Sequence, residues 1–240
     1  MNKSPFLSLV PPVIILSNPQ LGENIGASAR AMKNCGFTDL RLINPRDGWP
    51  NSDAEPMATH AADILKTTTV YKDLASSCFD ITHLFATTAR PRELKKTVIN
   101  PRMAAQKCVD YTLRDLPFEG NMQKYPPQAN ENTFKAAYLF GSERMGLTND
   151  EIVFADFIVE ANLNPDSNSL NLAQAVMIMC WEFVMIATSL EAITETQEEV
   201  FPEAMLEKVK QKNLKSAATI EEQKYFFDRF EMLLEKKGFF

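Results

Sequence analysis

Short apolar runs alternate along this chain with stretches of helical periodicity, and that alternation limits the folds open to it. Val13–Leu16, Leu40–Ile43, Ile81–Ala86, Ala136–Phe140 and Phe157–Val159 read as strands. Asn24–Asn34, Ala58–Leu65, Lys72–Cys78 and Arg102–Leu113 read as helices between them. Continuous apolar strands separated by helices belong to parallel sheets covered on both faces. Local signals agree: Gly36 is a stop for the first helix, and Thr148-x-x-Glu151 is a capping box that opens a short one. Leu170–Leu190 reads as a long apolar helix, and the polar, proline-bearing stretch Asp115–Thr133 as a loop. The fold class expected is therefore α/β, a mostly parallel sheet flanked by helices.

After Leu190 the composition turns charged and no strand signal remains. Phe226, Phe230 and Leu233 fall at helical spacing, as do Phe227 and Leu234. We expect two units, an α/β domain over residues 1–190 and an extension of two helices over residues 191–240.

Several classes are disfavoured. No apolar run approaches the roughly 20 residues that span a bilayer. Pro11 and Pro12 interrupt the apolar start and no small-x-small cleavage site follows, so a cytoplasmic location is expected. Cys35, Cys78, Cys108 and Cys180 form no C-x-x-C pair, and His60 and His83 are the only histidines. That is no zinc pattern; buried free thiols and no metal are expected. The net charge of -6 opposes nucleic-acid binding, but its distribution does not. Residues 28–114 carry 13 Lys/Arg against 9 Asp/Glu, whereas residues 115–240 carry 11 against 21. A basic face is open to the N-terminal half.

Three motifs sit where strands give way to helices. The first is NPQLGENIGASARAMKNCGF, residues 18–37, with Asn24, Gly22, Gly26 and Arg30. Small residues let a ligand approach a helix start, and a helix N-terminus attracts phosphate. The glycine spacing matches neither a P-loop nor a dinucleotide fingerprint; alone, the segment is a helix with a surface Arg. The second is AAYLFGSERMGLTNDEI, residues 136–152, where a buried strand ends in Gly141-Ser142-Glu143 with Gly146 just beyond. Ligands of α/β sheets bind past the carboxyl ends of strands; the plain alternative is a tight turn. The third is NPDSNSLNLAQAVMIMCWEF, residues 164–183. One short polar residue is enough for an N-cap, yet four lie within Ser167–Asn171, an excess that suggests a ligand.

In order, N-x-G-x-x-x-R, FGSE-x-x-GL and SLNLAQA resemble the three motifs of the SPOUT superfamily in its SpoU/TrmH branch. TTARPRE, residues 87–93, and the C-terminal extension make the chain most similar to TrmJ-type tRNA 2'-O-ribose methyltransferases. The resemblance covers residues 10–190. It implies a C-terminal trefoil knot, a homodimer with its active site at the interface, and S-adenosyl-L-methionine bound by three loops. Carried over residue by residue, the cofactor set is Thr87, Thr88, Ala89, Leu139, Gly141, Ser142, Glu143, Gly146, Leu163, Ser169, Leu170 and Ala173. Arg30 matches the family's catalytic arginine, and Asn24, Glu143, Ser169 and Asn171 its other motif residues. RNA contact is expected from Arg30, Arg41, Arg46, Arg90, Arg92, Lys95 and Lys96. The loop ANLNPDSN departs from the family in lacking its usual Ile-Pro, and the tail is short for a TrmJ-type chain.

The resemblance implies methylation of a tRNA ribose, with nucleotide 32 of the anticodon loop the expected target. An rRNA 2'-O-methyltransferase and a non-catalytic RNA-binding protein that keeps the fold are the alternatives. A decayed enzyme is expected to have lost part of the set Asn24, Arg30, Glu143, Ser169 and Asn171, and all five are present.

Overall fold

A computed structural model describes residues 9–89, 95–114, 134–196 and 218–236. Seven strands, β1 (Val13–Ser17), β2 (Leu40–Ile43), β3 (Thr69–Tyr71), β4 (His83–Thr87), β5 (Val98–Ile99), β6 (Ala136–Phe140) and β7 (Phe157–Val159), form one sheet in the order β3-β2-β1-β6-β4-β7-β5. Every pairing is parallel. β1 and β6 are buried at every position, as expected of central strands covered on both faces. The edge strands β3 and β5 escaped the sequence reading because they are three and two residues long and largely exposed.

Alternate residues of β1 enter opposite cores. Ile14 and Leu16 pack with α1 (Gly22–Asn34), α5 (Pro101–Arg114) and α7 (Leu172–Thr196). Val13 and Ile15 pack with α4 (Leu74–Ser77), α6 (Asn149–Phe154) and Ile220, which begins α8 (Ile220–Lys236). The expected helix Ala58–Leu65 is instead two short helices, α2 (Ala54–Ala58) and α3 (Ala62–Thr67), joined by a 3-10 turn at Thr59–Ala61. Thr59 takes φ 50, which breaks the run. The helix expected over Lys72–Cys78 shrinks to α4, because Asp73 is extended and caps the helix by accepting from the Ser76 amide. Asp115–Thr133 lies outside the described residues, as do residues 197–217 of the expected tail.

β7 lies between β4 and β5, although β4 and β5 are consecutive in the chain. β7 thus sits between two strands that both precede it in the chain, an order consistent with a knotted C-terminal region. α7 is also longer than expected. Its first 18 residues, Leu172–Ser189, have a mean hydropathy of 1.6, enough by length and composition for a membrane span. Here one side of the helix packs on α1 and α5, while Trp181 and Met185 stay exposed.

At the amino ends of the strands, remote from the motifs, Arg41 corrects an expectation. It is 4 % exposed and cannot reach RNA. Its guanidinium donates to both Asp80 oxygens (2.6 and 2.9 Å), to both Asp39 oxygens (3.2 and 3.0 Å) and to the Ser77 carbonyl (2.7 Å). Lys135 joins the cluster, 2.7 Å from Asp80 and 3.3 Å from Asp39. Burial works against the arginine's charge, but the Asp80 and Asp39 hydrogen bonds and charges raise its pKa further. Burial would likewise raise the Asp80 carboxyl; the Arg41 and Lys135 hydrogen bonds outweigh it and pull the group down to about 2.

Candidate active site

The site is built where β1 turns into α1. Leu21, at the N-cap of α1, supplies no side-chain hydrogen bond. The Glu143 carboxylate, from the loop after β6, fills that place. It accepts from the Gln20 amide (2.8 Å), the Leu21 amide (3.3 Å) and Asn24 Nδ2 (2.8 Å). The protein's own acid thus sits beside the helix terminus, where the dipole favours negative charge, and binds the amides just before the helix.

A second amide extends the chain. Asn171 Nδ2 donates to Asn24 Oδ1 at 2.9 Å, while Asn171 Oδ1 accepts from the Ala173 amide at 2.9 Å and so caps α7. Because Asn24 gives its amide nitrogen to Glu143 and its oxygen to Asn171, its orientation is set at both ends. One residue from each of the three motifs joins this relay, Asn24, Glu143 and Asn171.

Beside the relay opens a cleft of about 180 Å³. Its walls are the end of β4 (Thr87, Thr88, Ala89), the loop Gly141–Gly146, the segment from Ala161 to Leu170, and one side of α7. Thr87 Oγ1 donates to the Leu139 carbonyl at 2.9 Å, and the Thr88 amide to the Val159 carbonyl at 3.0 Å. These bonds fix the end of β4 against both neighbours. The loop after β6 is pinched shut: the Gly146 amide donates to the Ser142 carbonyl at 2.8 Å. A Cβ on Gly141 would lie 2.1 Å from the Gly146 carbonyl carbon, and Gly146 holds φ +67. Both glycines are required by this close approach of main chain to main chain.

Of the twelve residues expected at the cofactor, ten line the cleft. Leu139 and Ala173 do not: Leu139 is a fully buried strand residue, and Ala173 lies in the first turn of α7 off the cleft wall. Leu172, Ala175, Ile178 and Met179 of α7 take part instead. In the sequence they are part of the apolar helix, and apolar residues at helical spacing carry no mark of a ligand. Gly22 and Gly26 also differ from expectation. Cβ atoms there would meet Asn51 Oδ1 at 2.2 Å and the Ala54 carbonyl oxygen at 2.0 Å. It is the neighbouring chain before and within α2, not a ligand, that these glycines admit.

Arg30 is not brought to its own cleft. It lies exposed on α1, and among the described residues it has no hydrogen-bond or ion-pair partner. Arg46 is exposed and paired with Asp47 (2.7 Å). Lys96 donates to the Ala155 carbonyl, and Lys95 is exposed. Arg90 and Arg92 lie outside the described residues. Among those described, no group of His, Cys, Asp or Glu is arranged to hold a metal.

A parallel sheet with a cleft at its carboxyl edge, walled by three strand-end segments and a long helix, defines an α/β protein built to hold a small ligand against bare main chain. The profile of the SpoU rRNA Methylase family matches residues 11–181, most of the chain, and the protein belongs to that family. An uncharacterized tRNA/rRNA methyltransferase of Haemophilus influenzae is 31 % identical over 226 residues, which span 94 % of this chain and 79 % of that protein. The tRNA (cytidine/uridine/adenosine-2'-O-)-methyltransferase TrmJ of Pseudomonas aeruginosa is 32 % identical over 172 residues, 72 % of this chain and 60 % of that one. The crystal structure of TrmJ from Z. mobilis ZM4 superposes with a TM-score of 0.71 at 35 % identity, covering 96 % of this chain and 82 % of that one.

Proposed function

We propose that the protein transfers a methyl group from S-adenosyl-L-methionine to a ribose 2'-hydroxyl of tRNA, at nucleotide 32 of the anticodon loop. The observation that carries this reading is the relay Glu143–Asn24–Asn171, which joins the three motifs and through Glu143 reaches a cleft walled by the end of β4, the loop Gly141–Gly146, the segment from Ala161 to Leu170 and α7. The substrate class follows the TrmJ relatives in Pseudomonas aeruginosa and Z. mobilis.

The residues present suit such a cofactor. Gly141 and Gly146 leave main-chain groups bare at the cleft wall, and Leu163, Leu170, Leu172, Ile178 and Met179 supply an apolar side. The cofactor contributes a methyl already electrophilic on its sulfonium, so the protein's task is alignment and management of one proton. Glu143, held by three N–H groups, fixes the β1–α1 turn against the cleft rim. Arg30 cannot act as an ordinary base, since a guanidinium stays charged. Its role here is to grip the phosphate beside the target ribose and stabilise the forming alkoxide, with the proton leaving to that phosphate or to water. Arg30 faces solvent away from its own cleft, which suits a homodimer in which it serves the partner's site. Ser169 lines the cleft and orients substrate and cofactor. RNA contact would further use Arg46, Lys95 and Lys96, with Arg90 and Arg92. We place the enzyme in the cytoplasm.

The rRNA reading is favoured by one observation, the description of the family whose profile matches. Calorimetric titration with S-adenosylmethionine, then methyl transfer to unmodified bulk tRNA, separates the readings. Micromolar binding with transfer abolished in Arg30→Ala is expected. Binding without transfer to tRNA, but with transfer to rRNA, would replace the substrate; absence of binding would overturn the methyltransferase reading.

A further inference from the structure

The segment after β6 holds the start of the β1–α1 connection with a second carboxylate, Glu151 in the first turn of α6, eight residues beyond Glu143. Glu151 closes the α6 capping box, accepting from the Thr148 amide (2.7 Å) and hydroxyl (2.9 Å). Its other oxygen accepts a hydrogen bond from Ser17 Oγ, the last residue of β1, which is 1 % exposed. A capping box needs only one oxygen of its acid. The other reaches across to a different strand.

From Ser17 the hydrogen bonds continue. Asn18 Nδ2 donates to Ser17 Oγ at 2.9 Å, and Asn44 Nδ2 donates to Asn18 Oδ1 at 3.0 Å. Asn18 and Asn44 end β1 and β2 in left-handed conformations, φ 50 and φ 44. Asparagine tolerates that region better than most residues. The chain Asn44–Ser17–Glu151, through Asn18, repeats the logic of Asn171–Asn24–Glu143: side-chain amides donate in one direction and the run ends on a carboxylate of the 141–151 segment. Hydrogen bonds so ordered polarise one another. Between the two carboxylates lies the turn whose Gln20 and Leu21 amides hold Glu143.

We infer that Glu151, Ser17, Asn18 and Asn44 are positioning residues for the candidate active site. They hold the turn that Glu143 binds, and through it the start of α1 with Asn24. They touch neither the cleft nor α7. Their action falls on alignment of the acceptor hydroxyl rather than on the seat of the methyl donor. The inference rests on the methyltransferase reading for its kinetic consequence, but its structural consequence stands apart from it.

Three variants separate positioning from folding. Ser17→Ala removes the hydroxyl at the centre of the relay. Asn18→Gly removes the amide while keeping a residue at ease with positive φ. Glu151→Gln keeps a side-chain oxygen for the capping box, where Gln serves as well as Glu. Each is expected to lower kcat for methyl transfer about tenfold, as small misalignments of reacting groups do, with cofactor Kd within about twofold and the melting temperature little changed. Native-state hydrogen exchange should show the Gln20 and Leu21 amides losing protection in all three, whatever the activity. Unchanged exchange at those amides overturns the inference, as does kcat within twofold of wild type, or a loss of kcat that tracks cofactor affinity or melting temperature. If wild type itself transfers no methyl while exchange responds as stated, the activity reading fails and the relay stands.

Discussion

Two glycines in the motifs carry different kinds of constraint, and one substitution at each tells them apart. Gly141→Ala places a methyl against main chain that lines the cleft, so the loop must open. Gly26→Ala places one against the Ala54 carbonyl, between α1 and α2 and away from the cleft. Overpacking of this kind costs about 1–3 kcal/mol. For Gly141→Ala we expect cofactor binding weakened by roughly ten- to a hundredfold in a calorimetric titration; for Gly26→Ala, a lower urea midpoint with affinity retained. Asp80 yields a prediction about acid. Its carboxyl is depressed to about 2 in the folded protein, below the ordinary value of about 3.9. The stability it contributes is complete above that ordinary value and is lost as pH falls through about 2. Asp80→Asn should therefore flatten the acid limb of a stability–pH curve measured by urea unfolding. Asp39 is a local partner of Arg41, but burial of the pair is not marked in the sequence: Asp80 and Lys135 reach it only once β2, β4 and β6 take their places. The sequence reading put Arg41 on RNA for that reason. Glu143 was legible as the acid just past the end of the buried strand β6.

Helices and strands were legible in proportion to their burial. β1, β2 and β6 emerged nearly residue for residue, since continuous apolar runs bounded by turn residues have one good explanation. The Thr148 capping box is present as read, with both reciprocal hydrogen bonds. The region from Asn51 to Ser77 was not legible, because its helices are four to six residues long and too short to show a period. The cleft wall contributed by α7 was hidden for the opposite reason: apolar residues at helical spacing look the same whether they face a core or a ligand. The start of that helix gives a further prediction. Asn171→Ala removes both the N-cap of α7 and the partner of Asn24 Oδ1. Loss of the cap alone costs about 1 kcal/mol. We expect a drop in stability of that order by thermal unfolding, together with a fall in methyl transfer several times larger than the stability loss explains.

The molecule as a unit is acidic, yet its strongly acidic part is confined to residues 115–240. The side of α7 that stays exposed among the described residues bears on assembly. Trp181 and Met185 are 51 % and 39 % exposed on a helix apolar enough to pass for a membrane span. Large exposed apolar groups of this kind mark interaction surfaces. In the proposed homodimer this face is the candidate interface. Trp181→Glu is expected to shift sedimentation from dimer toward monomer and to remove methyl transfer while the isolated chain stays folded by circular dichroism. Sedimentation unchanged in that variant would exclude this face as the interface.

The pinched loop Gly141–Gly146 has a consequence for how such proteins diverge. A binding edge written in peptide groups does not change when side chains drift, provided its glycines are kept. The groups proposed to meet the acceptor are side chains, Asn24 and Glu143 beside this cleft and, in the proposed homodimer, Arg30 of the partner subunit, and these are open to revision. The two recognition tasks can then evolve at different rates: a lineage can exchange one nucleic-acid target for another while the donor's seat stays as it was.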